Sequence, residues 1–280
     1  MIVQVALVSQ SSSVNLSDVT AVSAALQKQT TRDLAPIWNV EATVDAFGSL
    51  AQVPIGYWPI VIRDDVIQKQ RAAGIHLDQN GQPFALVQAS ADWPLTASHE
   101  CLEMLVDPFG NRLVAGQAPK QVAKAAKQGR VEYLVEVCDP SEADQFGYSV
   151  NGIQLSDFYT PSFFDPVTSP NRYSFTAAIT KPRTILRGGY ISWHHPINDH
   201  WYQLQWFSTA KPVLADLGVF DKTDKRSLRE IIDSRTITPR MKRQRPLPRK
   251  ASAMLMARGG AADSSSARAG RLEEYIQSLL

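Results

Sequence analysis

Cysteine is scarce in this chain: two residues, Cys101 and Cys138, in 280. Two thiols do not make a disulfide framework, so a buried core must hold the fold. Long apolar runs are missing too. None approaches the roughly 20 consecutive apolar residues of a membrane helix, so no membrane association is expected. A surplus of one charge is also lacking, since 29 Lys and Arg against 27 Asp and Glu leave a net charge of +2. Bulk charge therefore points to no nucleic acid, membrane surface or acidic partner. The first residues, Met1 to Val8, carry neither a basic leader nor a small-residue cleavage site. They read as a first strand, and the expected location is the cytoplasm. Histidine numbers five, and three of these, His194, His195 and His200, fall within one short stretch.

What is present is enough apolar material for a core, 44% of residues, in one large domain or two smaller ones. Alternation and Val content predict strands at 2–8, 41–45, 57–63 and 83–88, with a turn at Asn80-Gly81. Helical spacing of Val19, Val22 and Leu26 predicts a helix over 18–33. A second helix is expected after Asp92, with Asp92 as its cap, Pro94 in its first turn, and Pro108 and Gly110 ending it. Residues 114–128 read as a loop and a short surface helix, 131–137 as a strand, and 148–158 as a hairpin around Asn151-Gly152. Strands at 188–195 and 201–208 and a helix at 225–233 complete the ordered reading up to Arg235. Beyond Arg235, basic residues mix with Pro239, Pro246 and Pro248, then with glycine and serine, which is linker composition. No aromatic residue interleaves the basic run 235–250, so a solvated linker is expected rather than a nucleic-acid surface. Helical periodicity returns at 269–280 in a segment too short to stand alone in water. It must dock on its own body or on a partner protein.

The chemistry concentrates in Ser98-His99-Glu100-Cys101-Leu102-Glu103, with Asp107-Pro108 just after it. Residues four apart share a helix face, so His99 and Glu103 project side by side as a metal-ligating pair. Glu100, one step round, is placed to act as a general base. Catalytic zinc takes three protein ligands and leaves room for water. The third is expected from Glu136 or Asp139, with a Cys138 thiolate as a lesser alternative. Asp107 is expected behind the ligands or at the helix end. A carboxylate at 103 makes the site more negative than a second imidazole would, and favours harder ions than zinc. The plain structural alternative is a hydrogen-bonded His-Glu pair with no metal. His194, His195 and His200, set among Trp193 and Trp201, are candidates for a second metal site or for substrate contact. Aromatic packing of a β-rich region is their plain reading.

The run Ser98-His99-Glu100-x-x-Glu103 with Asp107-Pro108, and Glu136-x-x-Asp139 after it, resembles zincin-like proteins of the H-E-x-x-E type. These include an uncharacterised bacterial family and, more distantly, the plant Exordium (phosphate-induced) family. The resemblance covers about 1–165 and is firmest over 96–140. It implies an α+β fold: a zincin-like, metallopeptidase-like mixed sheet with an active-site helix. A β-rich subdomain at 166–235, a linker at 236–268 and a tethered helix at 269–280 would complete the chain. The expected function is a zinc metallopeptidase acting on a peptide or protein. The expectation from a different class is a catalytically silent zincin-like scaffold, binding through its aromatic hairpin and tail.

Overall fold

A computed structural model describes residues 2–66, 72–236 and 262–279. The basic run and most of the expected linker lie outside the described residues. The architecture is mixed α+β, divided into two compact units. The first holds the chain up to Pro108, the piece Ser149–Leu155 and the C-terminal segment with its helix; the second holds Phe109–Tyr148 and the segment beginning at Ser156.

The first unit is built on a five-stranded sheet of β1 (Val3–Ser9), β2 (Ala42–Phe47), β3 (Trp58–Arg63), β4 (Gly74–Gln79) and β5 (Gln82–Gln88), in the order β2-β1-β3-β5-β4. Four strands run parallel, and β4 returns antiparallel to β5 at one edge. Asn80 and Gly81 both have positive φ, 52° and 78°, which the two-residue hairpin turn between β4 and β5 requires. Helix α1 (Leu16–Lys28) starts with a reciprocal cap between Asn15 and Asp18. It runs through a π-helical turn, Gln29–Leu34, into the short α2 (Ala35–Trp38), where Asn39 ends it at φ 55°. The motif helix, α3 (Trp93–Val106), packs on β3, β4 and β5. Its Pro94 sits in the first turn as expected, but Asp92 makes no side-chain cap; the Asp92 carbonyl accepts from the Thr96 amide instead.

Period-two alternation gives this sheet two buried faces. Ala6, Val8, Val61, Ile75, Leu77, Phe84 and Leu86 line one of them. That face is closed by the C-terminal helix, numbered α6 (Ala262–Leu279), through Leu272 and Ile276. The helix thus begins earlier than the expected 269 and docks on its own unit. No helix among the described residues is long and apolar enough to cross a membrane.

The second unit has an antiparallel sheet of β6 (Leu113–Gln117), β7 (Arg130–Leu134), β10 (Tyr190–His195), β11 (His200–Gln205) and β12 (Val213–Val219), in the order β12-β11-β10-β7-β6. Between β7 and β10 the chain makes the expected hairpin, β8 (Tyr148–Val150) to β9 (Ile153–Leu155), which turns at Asn151-Gly152 and belongs almost wholly to the first unit. Helix α4 (Ala123–Ala126) is a single turn, and α5 (Leu228–Arg235) is capped by Ser227 and Glu230. Leu134, Trp201, Phe220, Ile231 and Ile232 form an apolar cluster in the second unit.

Two boundaries depart from the sequence expectation. The compact units divide at 108 rather than 165, because β7 pairs with β10, placing Tyr133 opposite Trp193 and Glu132 opposite His194. Backbone ladder bonds so bind the segment after the motif helix to the β-rich part. Residues 114–117, within the stretch expected as a loop and a short helix, belong to β6 for the same reason: they pair with β7.

Candidate metal centre

Helix α3 is buried at every position but Pro94. A helix apolar nearly all round lies inside its unit, and takes its few polar residues with it. His99 and Glu103 are stacked one turn apart, with Nε2 of His99 3.3 Å from Oε2 of Glu103. Ser98 anchors the helix by donating to Oε1 of Gln29 at 2.8 Å. Glu100 points toward β4. On that strand Ile75 and Leu77 enter the apolar cluster, so alternation turns Gly74 and His76 to the opposite face, where α3 lies.

His76 is the residue of this cluster that sequence reasoning missed. Its Nδ1 lies 3.5 Å from Oε2 of Glu100 and 3.9 Å from Oε2 of Glu103. Its Nε2 lies 3.1 Å from the carbonyl oxygen of Asp107. A carbonyl only accepts, so Nε2 carries the proton and donates it. Asp107 closes the helix through its backbone, its amide donating to the Glu103 carbonyl. The sequence signal for His76 was slight, one histidine between Ile75 and Leu77 a few residues ahead of the Asn80-Gly81 turn.

None of His76, His99, Glu100, Glu103 and Asp107 is more than 3% exposed. Ligand atoms of His76, Glu100 and Glu103 all lie within 4.8 Å of one another. Removing an ionised carboxylate from water costs several kcal/mol, which a divalent ion beside the pair offsets. Two imidazoles and two carboxylates suit zinc and the harder divalent ions alike, so the residues present fit a metal.

Gly74 shows how closely β4 is moulded to this cluster. A Cβ there would lie 2.5 Å from Oε1 and 2.8 Å from Cγ of Glu100, and 2.6 Å from Cγ2 of Thr96. Gly74→Ala is expected to destabilise the protein by about 1–3 kcal/mol, the usual cost of overpacking. Urea unfolding measures this, and an unchanged midpoint would refute the contact.

The remaining sequence candidates divide between the two units. Cys101 is fully buried in α3, and burial pushes its thiol up to about 12, so it stays protonated and inert. Cys138, Glu136 and Asp139 belong to the second unit and are also buried there. Oε2 of Glu136 is 3.2 Å from Nη1 of the buried Arg229, which also lies 3.5 Å from Asp233. Asp139 opens a tight 3-10 turn against which Gly189 packs; a Cβ on Gly189 would sit 2.5 Å from the Asp139 carbonyl oxygen. Burial raises the Tyr190 phenol well above its ordinary value, with Asp139, Glu142 and Asp233 adding to the effect.

His194, His195 and His200 do not gather into a metal cluster among the described residues. Neighbours on a strand face opposite ways, and each ring has its own partners. His194 sits between Glu132 at 3.0 Å and Asp199 at 2.9 Å; His195 meets Asn198 and the Gln128 carbonyl; His200 meets Asp216 at 2.8 Å. Hydrogen bonding from His194 and Lys222 lowers the Asp199 carboxyl below its ordinary range. The aromatic packing expected of this region is present, with Trp193 stacked on Tyr202 and Trp201 on Phe220.

Compared with family models, curated proteins and solved structures, the chain matches none.

Proposed function

We propose that this chain is a metal-dependent hydrolase of zincin-like fold, with peptides or proteins as its substrate class. The observation that carries the reading is the His99 to Glu103 pair, ligand atoms 3.3 Å apart on one face of α3, with Glu100 beside it. The mixed sheet against which α3 packs supports it. His99 and Glu103 would hold zinc or a harder divalent ion. When bound, such an ion supplies Lewis acidity, which acidifies water and polarises a carbonyl. Glu100 takes the proton of the attacking water and returns it to the leaving group. Glu103 keeps the ligand face negative and holds His99 in its rotamer.

Elemental analysis and a fluorescent peptide library test this. Wild type is expected to carry about one zinc per chain on one metal site. His99→Ala is expected to lose it. Glu100→Gln is expected to keep the metal while hydrolysis falls by about 10²–10⁴-fold, the range for a lost general base. A folded wild-type protein that takes up neither zinc nor manganese sinks the proposal.

One observation favours a second reading, the silent zincin-like scaffold. All five clustered groups are at most 3% exposed, which leaves a substrate little approach. The ion would then fasten β4 to α3. Metal retention with no hydrolysis in any arm, and loss of metal in Glu100→Gln, is the outcome that selects it.

A further inference from the structure

The H-E-x-x-E helix carries one imidazole where two would give a stronger zinc pair. The first unit contains a second buried imidazole beside the first ligand pair. We infer that His76, reaching α3 from strand β4, is the third protein ligand of this centre, in place of Glu136 or Asp139. The inference rests on the reading that His99 and Glu103 hold a metal.

Three observations carry it. The first is the ring's orientation. Nε2 donates to the Asp107 carbonyl, 3.1 Å away, and this turns Nδ1 toward the carboxylates of Glu100 and Glu103. An outer N–H donated to a backbone carbonyl is also how metal-bound histidines are normally oriented. The second is distance. Donor atoms around a tetrahedral zinc lie about 3.3 Å apart, given bonds of about 2.0–2.1 Å. The His99 to Glu103 separation is 3.3 Å, and His76 Nδ1 is 3.9 Å from the same Glu103 oxygen. Ligand atoms of His76, Glu100 and Glu103 all lie within 4.8 Å of one another, and two histidines with one glutamate are a donor set that catalytic zinc accepts. The third is competition. Glu136 has one carboxylate oxygen engaged by the buried Arg229 at 3.2 Å, a guanidinium it shares with Asp233 at 3.5 Å.

The placement also suits Glu100. Its Oε2 is 3.5 Å from His76 Nδ1, so the base would stand beside a ligand atom.

The test uses the full chain and two probes, zinc titrated against a chromophoric chelator and cobalt read by its visible spectrum. His76→Ala is expected to weaken zinc binding by more than about 100-fold, beyond the 10–100-fold that losing a supporting partner costs. His76→Gln keeps a donor for the Asp107 carbonyl and guards against simple misfolding, with its melting temperature as the control. It is expected to lose zinc similarly and to change the cobalt spectrum. Added imidazole is expected to restore binding to His76→Ala. Glu136→Gln and Asp139→Asn are expected to bind zinc within about 10-fold of wild type. Loss of zinc in Asp139→Asn or Glu136→Gln, with His76→Gln unaffected, overturns the inference and leaves the hydrolase reading standing. A wild type that binds neither probe overturns both.

Discussion

Chelation is expected to lower the melting temperature of the purified protein by roughly 6–16 °C. A ligand present at 100 to 1,000 times its Kd stabilises the folded state by about 3–4 kcal/mol. In a chain of this size each kcal/mol moves the transition by about 2–4 °C. The effect belongs at the upper end of ordinary ligand binding, because Glu100 and Glu103 are 2% and 0% exposed, and without a cation their mutual repulsion is poorly screened. The same logic sets an opposite sign for a variant. Glu103→Gln is expected to bind metal poorly, yet to melt above wild type once both are stripped, because one buried charge is gone. Differential scanning calorimetry with and without EDTA gives all four numbers. Identical melting of wild type in both conditions would show that no ion is held at the cluster.

Removing 262–280 is expected to cost roughly 3–6 kcal/mol, from burial of about 1.5–3 kcal/mol for each of Leu272 and Ile276. The truncated protein should also aggregate, since Ala6, Val8, Val61, Phe84 and Leu86 would face water. Polar contacts fix the register of the docked helix. Arg268 donates to the Pro54 and Tyr57 carbonyls, and Glu273 meets Gln10 at 2.6 Å and Arg63 at 3.0 Å. Partial burial pushes the Glu273 carboxyl up, but hydrogen bonds from Gln10, Gln277 and Arg63 outweigh it and leave the group below its ordinary 4.5. A lowered carboxylate stabilises above its unfolded value and stops doing so as pH falls through the folded value. Docking should therefore loosen in acid, below about pH 4.5, and Glu273→Gln should remove that dependence. Hydrogen exchange along α6 reads both. A truncated chain with wild-type stability would mean that the helix contributes nothing to this unit.

Much of the first sheet was legible because its strands alternate strongly and end at turn residues; β1, β2, β3 and β5 lie close to where the pattern puts them. Helix α3 was legible from Pro94 and Pro108 around an apolar run. Strand β4 was not. It has two strongly apolar residues in six, Ile75 and Leu77, and its stability comes from pairing with β5. Without β4 there was no reason to set His76 beside the motif, since that proximity is tertiary. Strand β12 escaped similarly: it is an edge strand with Gly218 inside it and a bulge opposite Trp201 and Tyr202. The unit boundary was misjudged at 165 because the partner of β7 is β10, and long-range pairing leaves no mark on local composition.

The discontinuity of the first unit bears on how the chain folds as it is made. The last sheet strand, β5, ends at Gln88, and the helix that closes the sheet begins at Ala262, about 170 residues later. At roughly 5–20 residues per second, translation takes about 10–35 s to cover that gap. Through that interval one apolar face of the sheet is complete but uncovered, while the proposed metal ligands of α3 and β4 are already made. A chaperone that holds apolar strands, or early capture of the ion, would protect the nascent unit, and metal starvation during expression should raise the insoluble fraction more than chelation after purification does.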